Sequence, residues 1–125
     1  MNIELVRDWL SSEGYKYELN DDSTGLRFKY QGLMIYFEAD QNDEQFFRLL
    51  MPNIYTLENN REKVLEVCNG ISSEIKLIKA FLIEDQLFLS IEVFVDSTPE
   101  IGDFFERCCD ILMHAYRKAA QEIVG

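Results

Sequence analysis

Apolar and polar positions change period along the chain, and each change marks an element. Leu5, Val6, Trp9 and Leu10 recur at helical spacing, which predicts a short helix over Ile3 to Ser12. Asn2 is placed to cap it, Glu4 sits in the first turn where the helix dipole favours a carboxylate, and Gly14 is the expected stop. The period then falls to two. Tyr15, Tyr17 and Leu19 alternate with Lys16, Glu18 and Asn20, and after a turn at Asp21 to Gly25, Leu26, Phe28 and Tyr30 alternate with Arg27 and Lys29. Gln31-Gly32 is a tight connection, because glycine supplies the positive φ of a two-residue hairpin turn. It leads into LMIYFEA. A polar loop, Asp40 to Gln45, precedes a fourth strand, FFRLLMP, with Pro52 expected at its end or on an edge.

The stretch Leu57 to Asp96 organises the rest. It opens with a helical segment, LENNREKVLEVCNGISS, capped by Thr56 or Asn59 and carrying the stripe Leu57, Val64, Val67, Cys68, Ile71. Gly70 either ends that helix or marks close approach of a neighbour, since a helical glycine costs about 1 kcal/mol against alanine. The hairpin EIKLIKAFLIEDQLFLSIEVFVD follows, with Glu84-Asp85-Gln86 as its turn and two arms of about eight to nine residues. Leu87, Leu89, Ile91, Val93 and Val95 form one face of its second arm, and Phe88, Ser90, Glu92 and Phe94 the other. Ser97-Thr98-Pro99-Glu100 reads as a helix start, with a hydroxyl cap, a first-turn proline and a glutamate three residues after the cap. The stripe Ile101, Phe104, Phe105, Cys108, Ile111, Leu112, Ala115, Tyr116, Ala119, Ile123 then carries a last helix, with Arg117 and Lys118 expected at its basic end. The order is α-β-β-β-β-α-β-β-α. Hairpin connections make the sheet mostly antiparallel, so the fold class is α+β, a two-layer domain with helices on one face.

Composition narrows the function classes. A chain of 125 residues is one domain, residues 1–125, and 47% hydrophobic residues suit a folded core. Twelve basic against 23 acidic residues leave −11, with the cations scattered. Such a chain repels phosphate backbones and anionic bilayers, so neither nucleic acid nor membrane is an expected partner, while a basic protein is. No apolar run reaches the roughly 20 residues of a membrane span, and acids near the N-terminus depart from a secretory signal, so a cytoplasmic location is expected. Three cysteines without a CxxC form neither a disulfide framework nor a zinc site.

Candidate chemistry is sparse. His114 is the single histidine, four residues after Asp110; Cys109 and Asp110 are adjacent, and adjacent residues do not face each other on a helix, and no Gly-rich nucleophile turn is present. Cys109 falls off the apolar stripe and is the candidate exposed thiol. The loop DQNDEQ resembles a calcium loop only in its acids: Gln45 stands where glycine is needed and Met51 where the bidentate glutamate is needed. No phosphate-binding or HExxH motif occurs, so no catalytic residue, cofactor or metal is assigned. The anomaly is the sheet. A face turned to water should be polar, yet the strands carry apolar residues on both sides. Met34, Tyr36, Phe46, Ile78, Phe88 and Phe94 are therefore the candidate partner-binding residues, on a face that needs a cover.

The amphipathic helix ending in VCNGISS, the hairpin EIKLIKAFLIEDQLFLSIEVFV and the STPEIGDFFERC lead into the last helix resemble the type III secretion chaperone-like fold, which includes CesT-type chaperones and YbjN-like proteins. Size, acidity and element order agree over all 125 residues. An apparent extra strand, FFRLLMP, departs from the commonest chaperone pattern and fits the YbjN-like branch about as well. The resemblance implies a non-enzymatic module that binds a protein segment or a second copy of itself, as a homodimer, through hydrophobic sheet and helix surfaces. The alternative it implies is a YbjN-like regulatory domain whose partner is unknown or a small ligand.

Overall fold

Local chemistry places the first helix as expected. In the computed structural model, which describes residues 2–97 and 99–125, α1 spans Ile3–Ser12 and Asn2 caps it, its Oδ1 accepting from the Leu5 amide at 3.1 Å. Gly14 follows with φ +84°, the left-handed turn that lets the chain reverse. Six strands come next in one antiparallel sheet: β1 Tyr17–Leu19, β2 Gly25–Tyr30, β3 Leu33–Glu38, β4 Phe46–Thr56, β5 Ile78–Ile83 and β6 Gln86–Phe94, in the spatial order β1-β2-β3-β4-β6-β5. Helix α2 (Arg61–Glu74) stands between β4 and β5, and α3 (Phe105–Val124) closes the chain. The element order and the α+β class are those read from the sequence.

The helices share one face of the sheet. Their apolar stripes meet Leu26, Phe28, Tyr30, Ile35, Phe37, Phe47, Leu49, Met51, Leu87, Leu89 and Ile91, all buried. Phe105 is the hub, with its ring 4.8 Å from Trp9, 5.8 Å from Phe28 and 5.9 Å from Phe47. Polar ties fasten α3 to its neighbours: the buried Tyr30 hydroxyl donates to Asp110 at 2.5 Å, Arg117 donates to Gln31 at 2.8 Å, and Lys118 pairs with Glu74 of α2.

Several local expectations are corrected. Strand β4 does not stop at Pro52; it continues to Thr56 through an irregularity between Met51 and Tyr55, where Asn53 has φ +54°. A proline without an N–H is tolerated because it falls in the bulge. Neither Thr56 nor Asn59 caps α2. Asn60 occupies the cap position, and its side chain instead accepts from the Glu58 amide and donates to Tyr55. Gly70 lies inside α2 with nothing within 4 Å of where a Cβ would stand, so no neighbour requires it. Arm β5 has six residues against nine for β6, shortened by a turn in which Leu77 takes φ +69°. The last helix starts later than its apparent cap. Thr98 lies outside the described residues; beyond it, a 3-10 turn at Ile101–Asp103 precedes α3. Arg117 and Lys118 are not at a helix end, since α3 runs on to Val124; they serve the cross-links just described.

The sheet margins are guarded. Ser72 of α2 reaches the free side of β5, its hydroxyl accepting from the Ala80 amide at 3.0 Å and donating to the Ala80 carbonyl at 3.5 Å. The opposite margin, β1, is three residues long.

Candidate functional site

The face of the sheet away from the helices is assembled by strand register alone. Alternation puts Arg27 and Lys29 of β2, Met34, Tyr36 and Glu38 of β3, Phe46, Arg48 and Leu50 of β4, Phe88, Ser90, Glu92 and Phe94 of β6, and Lys79, Phe81 and Ile83 of β5 on it. No described helix covers these residues.

Register sorts them into bands. At one end Phe46 and Phe94 lie opposite each other, rings edge-on at 6.2 Å, with Phe94 78% exposed. The next band is ionic. Arg48 of β4 lies between Glu38 of β3, at 3.9 Å, and Glu92 of β6, where its Nε is 3.2 Å from Oε1. Lys79 of β5 reaches the other oxygen of Glu92 at 3.0 Å. The order across the strands is thus anion, cation, anion, cation. Tyr36, Leu50 and Ser90 follow in register; Ser90 is fully buried beneath its larger neighbours, and its hydroxyl has no partner among the described residues. Beyond them Phe81 and Phe88 stack at 5.5 Å, with Ile83 half exposed at the margin.

Beside these bands the sheet splits. β3 and β4 pair only between Tyr36 to Glu38 and Arg48 to Leu50. Past that point they diverge around an open cleft of about 330 Å³ lined by Leu33, Met34, Tyr36, Pro52 and Ile54, with Tyr116 of α3 behind it. The β4 bulge creates the cleft by turning the strand away from β3.

Of the six residues predicted for this face, Met34, Tyr36, Phe46, Phe88 and Phe94 lie on it, while Ile78 does not. Ile78 pairs with Ile91 and is buried under the helices. The parity of β5 is the reason: Lys79, Phe81 and Ile83 point outward, so Phe81 and Ile83 are the apolar residues that β5 contributes. The sequence signal for them was the alternation within KAFLI, which fixes two faces without saying which is covered.

The residues weighed for chemistry are dispersed. His114 is exposed on α3 among Arg117, Lys118, Gln121 and Glu122. Cys109, a candidate for an exposed thiol, is fully buried, because α3 is covered on a second flank as well as on its stripe. Burial, with the negative charges of Asp110 and Glu106 beside it, raises its pKa far above that of a free thiol, and burial holds Cys108 up to about 11. Both stay protonated at neutral pH and are poor nucleophiles. The acids of the Asp40–Gln45 loop are used locally, Asp40 accepting from Asn42 and Asp43 from Gln45. Among the described residues no group of three or more metal-ligating side chains converges. Among the described residues no helix is long and apolar enough to cross a membrane.

What the fold and this face define is an antiparallel α+β domain with one open sheet surface. A family model described as "Putative bacterial sensory transduction regulator", the YbjN family, matches residues 2–102. The chain belongs to the YbjN family. It is similar in fold to a solved structure, described as an uncharacterized protein from Methanothermobacter thermautotrophicus, with a TM-score of 0.65 at 12% identity, covering 96% of this chain and 92% of that one. No curated protein matches the chain significantly.

Proposed function

We propose that this chain is a regulatory protein-binding module that acts by docking, without catalysing a reaction, and that the open sheet face is its docking surface. The observation that carries the reading is the composition of that face: Met34, Tyr36, Phe46, Phe81, Ile83, Phe88 and Phe94 stand on a surface that no described helix covers. Apolar area grouped in this way is unfavourable in water and favours a protein cover. The family's description as a regulator supports a role exercised through binding. A cytoplasmic setting agrees with three unpaired cysteines, since thiols persist in a reducing compartment.

The test is site-specific cross-linking in cells. A photoreactive residue at Phe94 or Tyr36 should capture protein, and one at Leu65, exposed on α2, should not. Tyr36→Asp should abolish capture from position 94 while leaving the circular dichroism spectrum unchanged. Equal capture from Leu65, or indifference to Tyr36→Asp, would dismiss the sheet face as the docking surface. Small-ligand regulation through the β3–β4 cleft predicts instead a ligand-dependent rise in melting temperature that Met34→Trp removes by filling the cleft.

A further inference from the structure

The docking surface has a charge order that specifies its own partner. The strands contribute four cations to it, Arg27, Lys29, Arg48 and Lys79, against three anions, Glu18, Glu38 and Glu92, in a chain whose formal charge is −11. The acidic excess lies wholly on the helices and loops. Two copies of so acidic a molecule repel through those surfaces, and the sheet face is where they can approach closely. A strongly basic partner would be drawn to the helical side instead.

The ionic band goes further. Across β3, β4, β6 and β5 the charges run Glu38, Arg48, Glu92, Lys79, the Lys79 ammonium lying in the band through its contact with Glu92. A face-to-face pair related by a two-fold axis along the strand direction, between β4 and β6, reverses this order in the second copy. Arg48 of one copy then faces Glu92 of the other, and Glu38 faces the Lys79 ammonium, which leans from its register position beside Ser90 toward Glu92. The same axis sets Phe46 over Phe94 and brings the Phe81 side of one face over the Met34 side of the other. An alternating row of even length is self-complementary under that operation, as an isologous interface requires. Strands of three to eleven residues, at about 3.3 Å per residue and about 4.8 Å apart, give a face of roughly 650 Å², somewhat under the 800 Å² per partner of a standard stable interface.

We infer that the cover of this face is a second copy of the chain, packed sheet to sheet about that axis. This rests on the docking reading and names its occupant. Sedimentation velocity on the purified full chain tests it with two single substitutions at exposed positions, Glu38→Lys and Lys79→Glu. Each alone puts like charges opposite each other at both ends of the band, and the dimer should dissociate about tenfold or more readily. Mixed one to one, the two variants form a hetero-pair in which both ends are complementary, so dimer should return in the mixture. A chain that stays monomeric up to about 1 mM overturns the inference. So does a dimer indifferent to both substitutions, or a mixture that fails to recover. If self-association fails while cross-linking from Phe94 still captures another protein, the docking face stands and only its occupant is wrong.

Discussion

Tyr30 shows how one buried hydroxyl couples the sheet to α3. Its ring belongs to the core and its oxygen reaches the exposed carboxylate of Asp110, 80 positions on in sequence. Burial first, and then the bond to Asp110 and its charge, raise the Tyr30 pKa above the ordinary phenolic range. The folded state therefore keeps its proton at pH values where the unfolded chain, ionising near pH 10, has lost it. That contribution to stability is constant below about pH 10 and declines as pH rises above it. Tyr30→Phe should cost about 1 kcal/mol in urea denaturation at pH 7 and flatten the alkaline decline in stability between pH 10 and 11. An unchanged urea midpoint would show that the bond contributes nothing net. None of this was legible in the sequence, where Tyr30 reads only as one more inward position of a strand. Cys109 carries the same lesson: helical periodicity finds the main stripe of α3, but Cys109 and Met113, off that stripe, are buried by tertiary packing that no single-element pattern contains.

Among the elements, those with strong internal chemistry agree best with the sequence reading. The Asn2 cap, the Gln31-Gly32 turn and the alternation of β2 and β6 depend on neighbours a few residues away, and each is where the pattern puts it. Boundaries set by tertiary pairing differ. β4 passes Pro52 because β6 pairs with it on the far side of the bulge, and α3 begins late because the chain first closes a 3-10 turn. Gly70 has a consequence of its own. It is helical and has open space around its missing Cβ, so it carries only the entropic cost of glycine. Gly70→Ala should raise stability by about 0.5–1 kcal/mol, read as an upward shift of the thermal midpoint. A loss would mean that a contact crosses that point after all.

For the whole molecule, the candidate surface was half legible. Apolar residues on both sides of the strands announced an open face, and five of the six named residues stand on it. What a single sequence does not contain is register, and register sets Glu38, Arg48 and Glu92 in one row across three strands, which Lys79, paired with Ser90, joins through the reach of its ammonium to Glu92. In the sequence they are isolated charges, up to 54 positions apart.

Ser72, which holds both backbone groups of Ala80, also decides what kind of growth the molecule permits. A sheet with a free margin can recruit strand after strand without limit, whereas a sheet whose margins are shut can only be satisfied once, from above. With Ala80 of one margin held by a serine and the other margin three residues long, a pair joined through the open face leaves little strand edge on which to propagate. Ser72→Ala removes that hold, and the variant should form thioflavin-positive fibrils sooner than the parent under mildly destabilising heat, while its unheated circular dichroism spectrum stays the same. On this view a one-oxygen change separates finite pairing from open-ended polymerisation.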